Sequence, residues 1–274
     1  MRIIGLEERK ALALQILDEL DRVCREFEIP YYLAYGTLLG AARHKGFIPW
    51  DDDIDVLVPA EHYALLLDIL EKHSCYTINN NLKNPDWPRL FSKLSDSRTK
   101  VVDRTKKTMT IERSLGVDIY PLGRYQSKRQ ALRSSKLLRT MIVAIYMVRK
   151  NTPAKNTKYK LLKALARAEL IMGRDERYWQ LHYLNSIQGD VNCRYIGYSA
   201  GKYGMAEIHP AELFEESTLM EFEGKKYPAP LRYTEILSQI YGSDCMELPP
   251  ESKRVSNHNV DVFLLTDEPS VTNP

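Results

Sequence analysis

No two cysteines fall in a CxxC arrangement; Cys24, Cys75, Cys193 and Cys245 are scattered across 274 residues. That spacing excludes the common zinc and dithiol motifs and reads as four reduced, mostly structural thiols of a cytosolic protein. Long apolar runs are missing as well. The longest candidate, Met141 to Val148, has eight residues, far short of the ~20 that a membrane-spanning helix needs. The first residues, MRIIGLEERKALALQ, turn acidic before any continuous apolar stretch, so a secretory signal is not expected. Neither the Gly-rich dinucleotide fingerprint nor the GKT or GKS of a P-loop occurs. Basic residues are not interleaved with a run of aromatics, and no nucleic-acid module is recognisable, so a nucleic-acid partner is not expected.

What remains is a chain able to fold. Hydrophobic residues make up 44% and charged residues 27%, proportions that support a buried core in one large domain or a domain with a helical appendage. The formal net charge of +3 hides an asymmetry. Thirteen Lys or Arg and one acidic residue, Glu169, fall between Gln126 and Arg174, a formal +12 that leaves −9 for the rest. A solvated helical face is the plain reading of that block. It could also steer anionic substrates or rest on anionic lipid headgroups.

The segment Tyr35 to Val58, YGTLLGAARHKGFIPWDDDIDVLV, carries the chemistry. Ile54, Val56 and Val58 alternate as one buried face of a strand, which directs Asp53 and Asp55 to the same side. Paired carboxylates raise each other's pKa unless a cation compensates. A hard divalent ion such as Mg²⁺, which takes carboxylate, water and phosphate oxygens, answers that need. Gly36 and Thr37 read as a turn whose N–H groups and hydroxyl could hold phosphate oxygens, with Thr37 capping a short helix over Leu38 to Arg43. A third carboxylate, Asp118, sits in GVDIYPL between Val117 and Ile119, with Pro121 ending the run. A metal-dependent transfer site needs such a residue to hold metal or accept a proton.

The coarse organisation is a mixed α/β (α+β) protein, with a small mixed sheet, flanking helices and a helical insertion. Leu6 to Phe27 has helical periodicity, Tyr31 to Tyr35 reads as a short strand, and Glu61 to Lys72 as a helix after Pro59. Leu90 to Leu94 and Lys100 to Asp103 read as further strands, with Asp96 and Asp103 as loop or edge residues. Two or three basic helices follow Tyr125, interrupted at Asn151 to Lys155. YSAGKYGM at 198–205 reads as a ligand wall, and a turn at Glu223-Gly224 precedes a helix carrying Ile236, Leu237 and Ile240, closed by Gly242. His258 falls in a polar segment and reads as a surface residue. The boundaries that follow are a core over 1–125, a basic helical region over 126–190, a substrate-binding segment over 191–266 and a loose tail over 267–274.

YGTLLGAARHKGFIPWDDDIDV at 35–56, GVDIYPL at 116–122, FEGKKYPAP at 222–230 and YGSDCMELPP at 241–250 together resemble the LicD family, in order and over nearly the whole chain. The resemblance implies a nucleotidyltransferase-like core in which Asp53, Asp55 and Asp118 hold one or two Mg²⁺ (or Mn²⁺) ions. It implies transfer of phosphocholine from CDP-choline, or of a related phosphoalcohol, to a hydroxyl of a cell-surface glycan precursor such as a teichoic-acid or lipopolysaccharide sugar. The work would be done in the cytoplasm, peripherally at the inner membrane face. Gly123 departs from the acidic residue frequent at that place in the family.

On this reading Gly36, Thr37 and the helix start hold donor phosphates, with Arg43, His44 and Lys45 as candidates to bind the donor. Trp50 stacks on the donor or shapes the loop. Any aromatic enclosure of the choline ammonium would use cation–π attraction, with Tyr198 and Tyr203 as candidates. Two other readings stay open: a nucleotidyltransferase releasing pyrophosphate, and a glycan- or nucleotide-binding protein without turnover.

Overall fold

The computed structural model describes residues 1–103, 114–255 and 260–265, which leaves His258 and the 267–274 tail outside the described residues. In chain order the strands and helices begin with β1 Arg2–Ile3, α1 Leu6–Glu26, β2 Tyr32–Leu33, α2 Tyr35–His44, β3 Ile54–Pro59, α3 Ala60–His73, β4 Thr77–Asn79, β5 Ser92–Ser95 and β6 Thr99–Asp103. They continue with β7 Gly116–Tyr125, α4 Lys128–Arg149, α5 Thr157–Ile171, α6 Glu176–Ser186, β8 Tyr195–Gly197, β9 Ile208–Pro210, β10 Ser217–Phe222, β11 Lys225–Pro230, α7 Tyr233–Tyr241 and β12 Val260–Leu264. The architecture is mixed α/β, as the sequence predicts.

Two units divide the chain. The first comprises Met1–Ile78, Lys93–Tyr120 and Glu212–Pro274; the second comprises Asn79–Ser92 and Pro121–Ala211. The first is built on strands in the order β2-β3-β7-β5-β4. Its centre is β3, where Ile54, Val56 and Val58 are each at most 1% exposed. Helix α1 presents Ala13, Ile16, Leu17, Leu20, Val23 and Cys24 as one buried stripe, the spacing of a single helical face. Helix α3 buries Tyr63, whose hydroxyl donates to Ile119 O at 3.1 Å and so ties the helix to β7. A smaller sheet, β1-β12-β6, closes over Ile4, Leu115, Val262 and Leu264.

The β10–β11 hairpin is a two-residue turn with Glu223 at φ 50° and Gly224 at φ 75°. Positive φ at both positions is what a type I′ turn needs to match strand twist. Its tip grips the loop ahead of β3: Glu223 N donates to Lys45 O at 2.8 Å, and Phe47 N donates to Glu223 Oε1 at 2.9 Å.

In the second unit three helices form where the sequence predicts two or three. Ser127, Asn156 and Asp175 each accept from a backbone N–H three residues on and cap α4, α5 and α6. Ala144 and Ile145 of α4 pack with Ala166 of α5, and Leu162, Leu170 and Trp179 lie against them. Strand β7 does not stop at Pro121. It continues to Tyr125 and pairs β8 through Gly123 to Tyr125, beyond the proline, where its N–H donors are available again.

Candidate active site

Asp55 is the centre of the first unit's charge cluster. Its backbone is fixed on both sides: Asp55 N donates to Thr37 Oγ1 at 2.8 Å, and Ala34 N donates to Asp55 O at 3.0 Å. Burial raises its carboxyl well above the ordinary carboxylate range, and the neighbouring charges of Asp118, Asp53 and Asp51 raise it further, while Lys93 partly offsets them. Those influences bring the three predicted carboxylates, Asp53, Asp55 and Asp118, into one electrostatic neighbourhood. Asp53 itself precedes β3 and is exposed, so the strand alternation carries only Asp55. The intervening Asp52 turns inward, 6% exposed, with Arg9 Nη1 3.4 Å from Oδ2.

Two partners of this cluster were not anticipated from the sequence. Lys93 of β5 places Nζ 2.9 Å from Asp118 Oδ1, but off the direction that a hydrogen bond requires, leaving that buried oxygen without an aligned donor. Asp51 stands at the start of α2, where a Cβ added to Gly36 would lie 3.0 Å from Asp51 Oδ2. The helix start therefore has a carboxylate beside it, as its dipole favours. A lone Lys within SKLS and the first residue of a DDD run carry no periodic signal that marks either role.

The Gly-Thr turn of the sequence reading is corrected. Helix α2 begins at Tyr35 with Ala34 as its N-cap, so Gly36 and Thr37 are its second and third residues. Thr37 does not cap it, because its hydroxyl accepts from Asp55 N. The first-turn N–H groups of such a helix have no partner within it, so the expectation of anion-binding donors near Gly36 keeps a physical basis. Tyr35 takes φ 46°, a left-handed conformation that a bulky residue rarely adopts outside strained functional segments. Its ring meets Tyr120 edge-on at 5.3 Å between centroids, and Tyr120 shares with Asp118 one face of β7.

The other predicted residues are placed as follows. Arg43 Nη1 donates at 2.9 Å to the carbonyls of both Cys245 and Glu247, and its Nε donates to His44 Nε2 at 3.0 Å. Burial and the Arg43 charge lower the His44 pKa below its ordinary value, favouring the neutral ring. Lys45 is exposed, ends α2 in the left-handed region and lies 3.5 Å from Glu221. Trp50 is half-buried, edge-on to His44 at 6.5 Å. Tyr198 and Tyr203 belong to the second unit. Tyr198 is buried against Phe91, and the Tyr203 ring is covered by Lys202 Nζ at 4.8 Å. The distal blocks thus act as braces: the β10–β11 turn holds Lys45 to Phe47, and the Cys245–Glu247 carbonyls hold Arg43.

Among the described residues no three His, Cys, Asp or Glu side chains converge closely enough to enclose a metal ion. The donor set is nevertheless of the right kind. All-oxygen carboxylates suit Mg²⁺ or Mn²⁺, Asp118 Oδ1 is buried without an aligned donor, and the like charges around Asp55 call for a cation.

The family described as LicD/FKTN/FKRP nucleotidyltransferase domain matches residues 28–137, a span that contains α2, β3, β7 and the first ten residues of α4. The chain is 32% identical over 283 residues to the lipopolysaccharide cholinephosphotransferase LicD of Haemophilus influenzae, covering 97% of this chain and all of that protein. Shorter similarity extends to uncharacterized proteins of Rickettsia typhi, 38% identical over 79 residues (28% of this chain, 26% of that protein), and Rickettsia prowazekii, 41% over 63 residues (23% and 24%). End-to-end similarity on a mixed α/β core makes this chain a member of the LicD family, with its nucleotidyltransferase-like core.

Proposed function

We propose that this protein transfers phosphocholine from CDP-choline to a hydroxyl of a lipid-linked cell-surface glycan precursor and releases CMP. The observation that carries the proposal is the full-length similarity to a cholinephosphotransferase. The carboxylate neighbourhood of Asp55 supports it with suitable chemistry.

A Mg²⁺ or Mn²⁺ ion held by Asp53, Asp55 and Asp118 would neutralise the donor's diphosphate charge. The protein's own groups have separate tasks. Thr37 fixes the Asp55 backbone, and the first N–H groups of α2 offer donors to phosphate oxygens. Lys93 supplies positive charge beside Asp118 and steers the diphosphate toward it. Asp118 accepts the proton of the acceptor hydroxyl as its oxygen bonds to the phosphorus bearing choline. The bond from that phosphorus to the bridging oxygen breaks, and the electron pair leaves with CMP. Tyr35 and Tyr120, edge-on to each other with Tyr120 on the Asp118 face of β7, offer an aromatic surface to attract the choline ammonium. Arg43 acts as a brace for α2, its guanidinium committed to two carbonyls.

The nucleotidyltransferase-like core keeps nucleotidyl transfer as a second reading, and product identity separates the two. With CDP-choline, glycan precursors and Mg²⁺, the proposal expects CMP and an acceptor heavier by one phosphocholine, both identified by mass. Pyrophosphate, from a nucleoside triphosphate, would establish the other reading. Binding without turnover would reject both.

A further inference from the structure

Helix α5 is apolar on two opposite faces. Its inner face is accounted for: Leu162, Ala166 and Leu170 pack toward α4, and Lys163, 7% exposed, donates to Thr152 O at 2.6 Å. Its outer face is not. Leu161 is 71% exposed, Leu165 46%, Ile171 87% and, just past the helix end, Met172 56%. Leu161, Leu165, Ala168 and Met172 recur at helical spacing and fall within an arc of about 60°. Ala164 and Ile171 widen this stripe on one side. A helix of a water-soluble fold ordinarily exposes a polar outer face, so a continuous apolar stripe marks an interaction surface.

The flanks identify the occupant. Lys158 borders the stripe on one side, and Lys160 and Arg167 on the other, all exposed. The acidic residue of the segment, Glu169, is buried, with Arg174 3.6 Å away. No helix among the described residues is long and apolar enough to cross a membrane. An apolar stripe bordered by lysine and arginine is the arrangement of a helix lying in a bilayer interface, apolar side among acyl chains and cations among headgroups. A second copy is disfavoured, because joining two such surfaces would oppose basic flanks of like charge.

We infer that the outer face of α5 docks this protein on an anionic lipid bilayer, with Leu161, Leu165, Ala168, Ile171 and Met172 entering the interface. The surface stands independently of which donor the site uses. It would place a soluble-domain enzyme where a lipid-borne acceptor is found.

The test is flotation of the full chain with vesicles of phosphatidylcholine alone or mixed with phosphatidylglycerol, alongside sedimentation of the free protein. Wild type should float with the mixed vesicles, and less as salt rises. The double substitution L161E/L165E should weaken binding about tenfold or more while leaving the melting temperature unchanged, since both side chains face solvent. K158E/K160E should weaken binding to mixed vesicles and leave the weak binding to neutral ones unaltered. Unchanged flotation of L161E/L165E would overturn the inference. So would a wild-type dimer that L161E/L165E dissolves with no vesicle binding by either protein, which would assign the stripe to self-association.

Discussion

The segment from α2 to β3 and helix α5 treat charge and apolar surface in opposite ways. Between α2 and β3 the aliphatic residues are buried and the carboxylates crowd one another, so that Asp55 is held in an unfavourable electrostatic position by packing around it. On the outer side of α5 the charges of Lys158, Lys160 and Arg167 are solvated, and it is Leu161 and Ile171 that stand exposed beside them. The first arrangement costs stability in the isolated protein and the second leaves apolar surface in water, and each is answered by a different partner, a cation in one case and an apolar surface in the other. Residues placed against the ordinary pattern of burial while suiting a ligand are the mark of function in both regions.

The largest effect should come from relieving the first region. Asp55→Asn is expected to reduce transfer by roughly 10²–10⁴-fold, the range of a lost catalytic carboxylate, while raising the melting temperature of the metal-free protein. The sign follows from the raised pKa: the stabilising neutral form is fully present below the unfolded carboxyl's pKa and is lost as pH climbs through the higher folded value. Wild type should therefore lose metal-free stability over that window, and Asp55→Asn should not. Thermal melts from acid to neutral pH check this, and parallel curves would contradict the electrostatic account.

Next comes Thr37→Val, which removes the acceptor of Asp55 N and should cost about 1–3 kcal/mol in denaturant unfolding, with Thr37→Ser restoring most of it. Comparable stability with valine would show that the Thr37 contact does not hold the strand. Glu223→Ala removes the acceptor of Phe47 N at the hairpin tip and should cost about 1 kcal/mol, with a larger fractional loss of activity than of stability, because the loop it braces leads into Asp51 to Asp53. The smallest effect belongs to the second unit. Lys150 and Asp86 pair at 2.6 Å with side chains 42% and 48% exposed, so Lys150→Met should leave the denaturant unfolding midpoint within the scatter of repeat measurements. A larger change would mean that surface charge matters more to the helices than their packing does.

The elements with strong periodicity were legible in the sequence. Helices α1 and α3 and strand β3 follow from their spacing, and the basic helices from theirs. What failed was long-range. Gly36-Thr37 looks like a turn until Thr37 is seen to accept from an amide eighteen residues away. Pro121 looks like a stop because the pairing of β7 with β8 beyond it carries no local signal. Strand β1 is two residues long and its partner, β12, lies near the other end of the sequence. At the site the DxD pattern indicated Asp55, and the family resemblance supplied the roles, but Lys93 and Asp51 became visible only as neighbours in space. The outward stripe of α5 was hidden for another reason: its leucines look like core, and exposure is not a property of sequence spacing.

The central claim is that the aspartates around Asp55 carry metal-dependent transfer. The most direct measurement is CMP released from CDP-choline, with acceptor, across a Mg²⁺ titration for wild type and Asp53→Asn. Asp53 is exposed ahead of β3, so the substitution should leave the fold intact. The account predicts Mg²⁺-dependent CMP release by wild type and none above background for the variant; release by Asp53→Asn at the wild-type rate would contradict it.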